Sequence, residues 1–143
     1  MISAESVLDM VTDLKAEDAE LRSLRLVQLR PNSVPWSSVA GFSFRLGIEP
    51  AELLRLIGIS ERTAVRRKTE GYLKTDEADR LLRVGRVFEE ATRVFGDGVR
   101  AAGWLRQNSP VLYNSPPLSL LDCDAGAQLV TDELERIEFG EFA

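Results

Sequence analysis

The chain has 143 residues, 44% of them hydrophobic and 29% charged, which suits one soluble globular domain or one compact domain with arms and excludes disorder throughout. There is no histidine and only one cysteine, Cys123, so Ser-His-Asp and Cys-His catalysis, histidine metal sites and an intramolecular disulfide framework are excluded. The net charge of −5 is uneven: residues 1–24 carry −4, residues 25–121 carry +5 and residues 122–143 carry −6, so a basic middle lies between acidic ends.

Residues 3–30 read as a helix, with Val7, Leu8, Val11 and Leu14 on one stripe continued by Leu21, Leu24 and Leu29. Pro31 stops it, because the residue before a proline is pushed out of the helical region. Nothing in Met1-Ile2-Ser3-Ala4-Glu5 resembles a secretory leader, and no apolar run approaches the roughly 20 residues needed to span a bilayer, so a cytoplasmic protein is expected. Pro35 suits the first turn of a helix reaching about Leu46, which Gly41 weakens. Gly47 ends that helix and Pro50 opens the next, over Ala51 to Ile57.

Gly58-Ile59 turns the chain. Ser60 is a good N-cap for a short helix to Glu70, which Gly71 ends. Thr75 is expected to cap a long helix whose buried face is Leu81, Leu82, Val84, Val87, Phe88, Ala91 and Phe95, closed by Gly96. A further helix holds Val99 to Leu105. The linker Asn108 to Pro117 has three prolines, and Leu118, Leu120 and Leu121 suggest one helical turn. Asp122 or Asp124 starts a last helix with Ala127, Val130, Leu134 and Ile137 on one stripe, ended by Gly140. β-Branched alternation is absent, so the expected class is all-α, divided into an extension (1–34), a helix-turn-helix part (35–74) and a C-terminal helical domain (75–143).

The pair of short helices between Ala51 and Gly71 has the parts of a helix-turn-helix, and its second helix carries Arg62, Thr63, Arg66, Arg67 and Lys68 as candidate DNA contacts. Arg62, Thr63 and Arg66 can share an outward face, whereas Arg66, Arg67 and Lys68 point in different directions, and one or two of them can instead pair with Glu61, Glu70 or the acidic tail. Carboxylate pairs such as Glu133 with Glu138 or Asp132 with Glu135 imitate an acid/base site but fit the solvated face of a helix better. Cys123 lies between two aspartates, a setting that raises a thiol pKa and disfavours a nucleophile. Trp36 and Trp104 fit core or interface anchors better than base-stacking platforms. There is no Gly-rich phosphate loop, and no cofactor or enzyme activity is indicated.

These residues also carry a family likeness. Leu53-Leu54-Arg55-Leu56-Ile57-Gly58-Ile59-Ser60-Glu61-Arg62-Thr63, Asp79-Arg80-Leu81-Leu82-Arg83-Val84-Gly85-Arg86-Val87, Val94-Phe95-Gly96 and Trp104-Leu105 resemble the Xre/MbcA/ParS-type antitoxins. So do Pro117-Leu118 to Leu121-Asp122, Gly126-Ala127 and the ending Glu135-Arg136-Ile137-Glu138-Phe139-Gly140-Glu141-Phe142-Ala143, in order along Val39–Ala143. The resemblance implies an antitoxin of a type II pair whose partner is a RES-domain toxin, encoded by a neighbouring gene, that resembles ADP-ribosyltransferases and depletes NAD⁺. It implies an Xre-like N-terminal part serving dimerisation and operator binding, hence a homodimer within a larger complex. The C-terminal domain would cover the toxin's active site through Arg136, Glu138, Phe139, Gly140, Glu141, Phe142 and Ala143.

Two features depart from the family: residues 1–30 match nothing recognised, and Asn108-Ser109-Pro110-Val111-Leu112-Tyr113-Asn114 lacks the glycine pair expected there. The residues themselves leave Phe139 two roles, an anchor for a partner or a plug in the chain's own core. A helix-turn-helix repressor without a protein target is the competing reading.

Overall fold

Helix α1 (Ser37–Leu46) opens the part of the chain that the computed structural model describes, residues 34–140; the helix expected over residues 3–30 and the last three residues lie outside it. There follow α2 (Pro50–Leu56), α3 (Glu61–Glu70), α4 (Thr75–Phe95), α5 (Gly98–Arg106), two 3₁₀ turns at Pro110–Leu112 and Pro117–Asp122, and α6 (Asp124–Glu138). Among the described residues extended pairing is confined to two isolated bridges, Pro35 with Tyr72 and Ser109 with Ser115. The chain is therefore all-α, as its patterning requires.

Most helix boundaries follow the expected signals. Pro50 occupies the first turn of α2, and Gly47, Gly71 and Gly96 end α1, α3 and α4. Helix α1 continues through Gly41, around which there is open space. The N-cap of α4 differs from expectation. It is Lys74, with Thr75 the first helical residue, because the Glu77 carboxylate reaches back to accept the Lys74 N–H at 2.9 Å. Helix α6 starts at Asp124, and its cap is the Cys123 sulfur, which accepts the Gly126 N–H at 3.4 Å.

Helix α4 is the central element. Leu81, Leu82, Val84, Val87, Phe88 and Ala91 are all buried along it, and Phe95 packs at its end against Trp104 of α5, ring centroids 5.4 Å apart. One hydrophobic cluster runs from Val34 beside α1 to Leu134 in α6. Each fully buried leucine in it contributes about 1.5–3 kcal/mol of transfer free energy. Trp36 is a partly buried flank of the same cluster, as expected of a core anchor.

Arginines close helix ends onto this core. Arg80 of α4 donates to the Ile57 carbonyl after α2 at 3.3 Å, and Arg106 donates to the Gly47 carbonyl after α1 at 3.4 Å, both at ends where the helix dipole favours a cation. The second 3₁₀ turn packs on α6 so closely that a Cβ on Gly126 would overlap the Leu120 carbonyl.

Candidate nucleic-acid and partner-binding surfaces

Helix α3 is capped by Ser60, whose hydroxyl oxygen accepts the Thr63 N–H at 3.2 Å and donates to the Thr63 hydroxyl at 3.1 Å. The Thr63 hydroxyl is thereby engaged in the cap, while Arg62, Val65, Arg66 and Lys68 lie exposed. Arg62 and Arg66, four residues apart, occupy one solvent-facing side of the helix, as their spacing requires. Arg66 approaches Glu70 at 4.0 Å, a surface pair of small energetic weight.

Arg67 is corrected by the structure. It is not on the exposed face of α3; it is the buried residue of that helix, 3% exposed. Its Nε donates to Glu77 Oε1 at 2.7 Å and its Nη2 to Glu77 Oε2 at 3.1 Å, a bidentate pair between α3 and α4. The hydrogen bond to Glu77 holds the guanidinium above its ordinary pKa against the opposing effect of burial. Nη1 makes no hydrogen bond and faces Glu70 at 3.5 Å. Arg67 therefore seats the helix and is unavailable to a phosphate.

At the other end of the molecule, α6 lays its stripe on the core: Val130 and Leu134 are fully buried, with Ala127 and Ile137 partly so. Two ion pairs fix its ends to α4. Arg83 bonds Asp124 at 2.8–2.9 Å, and Arg93 bridges Glu90 and Glu138. The bond to Glu90, then that to Glu138, holds the Arg93 guanidinium above its ordinary range. Arg136 pairs with Glu133, Nε to Oε2 at 2.8 Å. Of the candidate partner contacts, Arg136 and Glu138 thus engage charges within the chain, whereas Phe139 is 70% exposed and does not plug the core.

Gly140 follows with φ +65°, a left-handed turn that a side chain would resist, so the chain leaves the helix there. Glu141, Phe142 and Ala143 lie outside the described residues. Three of the four carboxylates considered as acid/base pairs are bound to other groups: Glu133 to Arg136, Glu138 to Arg93 and Asp132 to the Gln128 amide at 2.8 Å. Among the described residues no cluster of acidic or cysteine side chains could hold a metal ion, and no helix is long and apolar enough to cross a membrane.

Among the exposed side chains that the sequence does not single out are Phe44 of α1, 87% exposed, and Tyr113, which lies between α5 and α6 and is 77% exposed. A residue-type scan passes over Tyr113 because its neighbours Val111, Leu112 and Asn114 form no charged or catalytic pattern; the missing glycine pair was the available signal.

Residues 25–86 match the antitoxin Xre-like helix-turn-helix domain, and residues 90–140 match the antitoxin Xre/MbcA/ParS C-terminal toxin-binding domain. The chain is 37% identical over 98 residues to the antitoxin Xre of Yersinia enterocolitica, covering 67% of this chain and 66% of that protein. It is 36% identical over 91 residues to the antitoxin Xre of Photorhabdus laumondii, covering 62% of each. The matched stretch thus spans a little under two thirds of either relative's length.

Proposed function

Since the chain belongs to the Xre/MbcA/ParS family of antitoxins, we propose that it is the antitoxin of a toxin–antitoxin pair, that it binds and occludes the active site of a RES-domain toxin that degrades NAD⁺ or transfers ADP-ribose, and that it represses its own operon. The observation that carries this reading is the geometry at the end of α6. Ion pairs of Arg83 with Asp124 and Arg93 with Glu138 fix both ends of the helix to α4. Phe139 then stands exposed, and Gly140 takes a left-handed conformation just past the helix. A cleft that handles a dinucleotide offers cations and a flat apolar slot, and the segment after Gly140, with Glu141 and Phe142 beside Ala143, supplies an anion and an aromatic ring to match.

Operator binding falls to the exposed side of α3, with Arg62 and Arg66 as phosphate or base contacts, Lys68 exposed on another side of the helix, and Thr63 contributing through the cap. The helix-turn-helix part, residues 35–74, would also supply the homodimer contact, set between an extension (residues 1–34) and the toxin-binding part (residues 75–143). Such a protein acts in the cytoplasm, by binding and without catalysis.

The test is removal of residues 139–143. The shortened protein should remain folded and helical, because the buried stripe of α6 is untouched, yet protect poorly when the neighbouring toxin gene is co-expressed, read as bacterial growth and NAD⁺ level. Inhibition should fall more than binding, since the rest of the domain still docks. Protection equal to that of the full chain overturns tail occlusion, and failure of the full chain to bind the neighbouring gene product leaves the plain repressor.

A further inference from the structure

The loop between α5 and α6 carries a turn that no site residue above includes. The Leu112 carbonyl accepts the Ser115 N–H at 3.0 Å, closing a four-residue turn around Tyr113 and Asn114. Both central residues lie in the left-handed region, Tyr113 at φ +60° and ψ +29°, Asn114 at φ +54°. Positive φ at both positions is the mark of the type I′ turn, whose preferred sequences are Asn-Gly and Gly-Gly. Asparagine tolerates that region; a tyrosine brings its Cβ against the following carbonyl there.

The turn is held in this shape from all sides. The Ser109 N–H donates to the Ser115 carbonyl at 3.0 Å, the Ser115 hydroxyl donates to the Tyr113 carbonyl at 3.3 Å, and Leu112 is sunk in the core at 4% exposure. Within the chain the tyrosine ring returns little for this strain: it is 77% exposed, and Val111 on the same loop is 59% exposed. A bulky residue held where the backbone favours glycine, its strain unrepaid by packing within the chain, marks a position to be read for function. The loop lies within the stretch matched to the toxin-binding domain.

The geometry points to Tyr113 as an anchor of the toxin-binding surface, its ring docking in an apolar recess of the toxin. This rests on the reading of the chain as an antitoxin. A tyrosine suits the role because it has two side-chain torsions and sits on a braced turn, so little freedom is lost on docking.

The experiment uses the full chain, its Tyr113→Gly and Tyr113→Phe variants, thermal melting, and calorimetric titration with the purified product of the neighbouring toxin gene. The glycine variant should melt no lower than the parent, with a rise of about 2–5 °C as the strain is relieved. It should nevertheless bind the toxin about tenfold or more weakly. The phenylalanine variant should retain most of the affinity.

Equal affinity of the glycine variant and the parent overturns the inference. So does a markedly lower melting temperature, which makes Tyr113 a structural residue, and so does a changed oligomeric state at unchanged toxin affinity, which makes a second copy the occupant. If the parent itself does not bind the toxin, the antitoxin reading falls first and this inference with it.

Discussion

Arg67 grips Glu77 with both arms of its guanidinium, Nε to Oε1 at 2.7 Å and Nη2 to Oε2 at 3.1 Å, and so joins the helix that faces DNA in the proposed reading to the first turn of the helix that organises the toxin-binding half. Glu77 also accepts the Lys74 N–H, so one carboxylate caps α4 and seats α3. Replacing Arg67 with methionine leaves that carboxylate buried without its cation, which should destabilise the protein by about 3–5 kcal/mol. A joint Arg67→Met, Glu77→Leu replacement should recover part of the loss, although the cap on α4 goes with Glu77. Urea denaturation of the two variants checks both statements.

Arg66→Ala should weaken operator binding without changing toxin binding, because the side chain stands on the exposed side of α3 and its pair with Glu70 at 4.0 Å is a surface one. Loss of one phosphate contact lowers affinity uniformly across sequences and reduces the slope of log affinity against log salt by about 1. A gel-shift series at several salt concentrations reads both. Arg62→Ala should behave in the same way, and identical shifts for parent and variants would remove α3 from the interface.

Gly126→Ala should destabilise the protein although alanine is the better helix former. A Cβ there collides with the Leu120 carbonyl, a backbone atom held in the second 3₁₀ turn, so the turn or the helix must move. Overpacking of this kind costs about 1–3 kcal/mol. Thermal melting of the variant beside Gly41→Ala, where nothing lies within 4 Å, separates the clash from helix propensity: the second should be neutral or stabilising.

Phe139→Ala should leave stability within about 0.5 kcal/mol of the parent, as expected of an exposed side chain. Its effect should appear in toxin neutralisation, where loss of an aromatic anchor weakens affinity by about one to two orders of magnitude. Co-expression growth assays and calorimetry check the two halves of the statement.

The helices were legible in the sequence because their signals are local. Ser60, Pro50 and the glycines at 47, 71 and 96 mark boundaries whatever the rest of the chain does, and the Val130–Leu134 stripe finds the core by its own period. What was hidden depends on pairs far apart. Within Arg66-Arg67-Lys68 rotation about the helix axis sends the three side chains different ways, yet only Glu77, ten residues on, decides that Arg67 is the buried one. The cap of α4 was misplaced by one residue because a threonine is the better cap by type, and the reach of Glu77 back to Lys74 outweighed it. The Tyr113 turn showed in the sequence only as a missing glycine pair, because its backbone asks for glycine and its sequence supplies none. Of the candidate partner residues, Phe139 and Gly140 stand out in the sequence by type, but the internal pairing of Arg136 and Glu138 does not.

Helix α4 runs 21 residues, about 31 Å, without a break between the neighbourhood of α3 and that of the α6 ending, and its buried side chains belong to one cluster. Two surfaces mounted on one such spar cannot loosen independently. A partner held on the folded chain at a hundred times its dissociation constant withdraws about 2.7 kcal/mol worth of open conformations, and it withdraws them everywhere the shared core reaches. In the proposed reading, occupancy at one end would lower the openings of the shared core that both surfaces depend on, with no change of shape required.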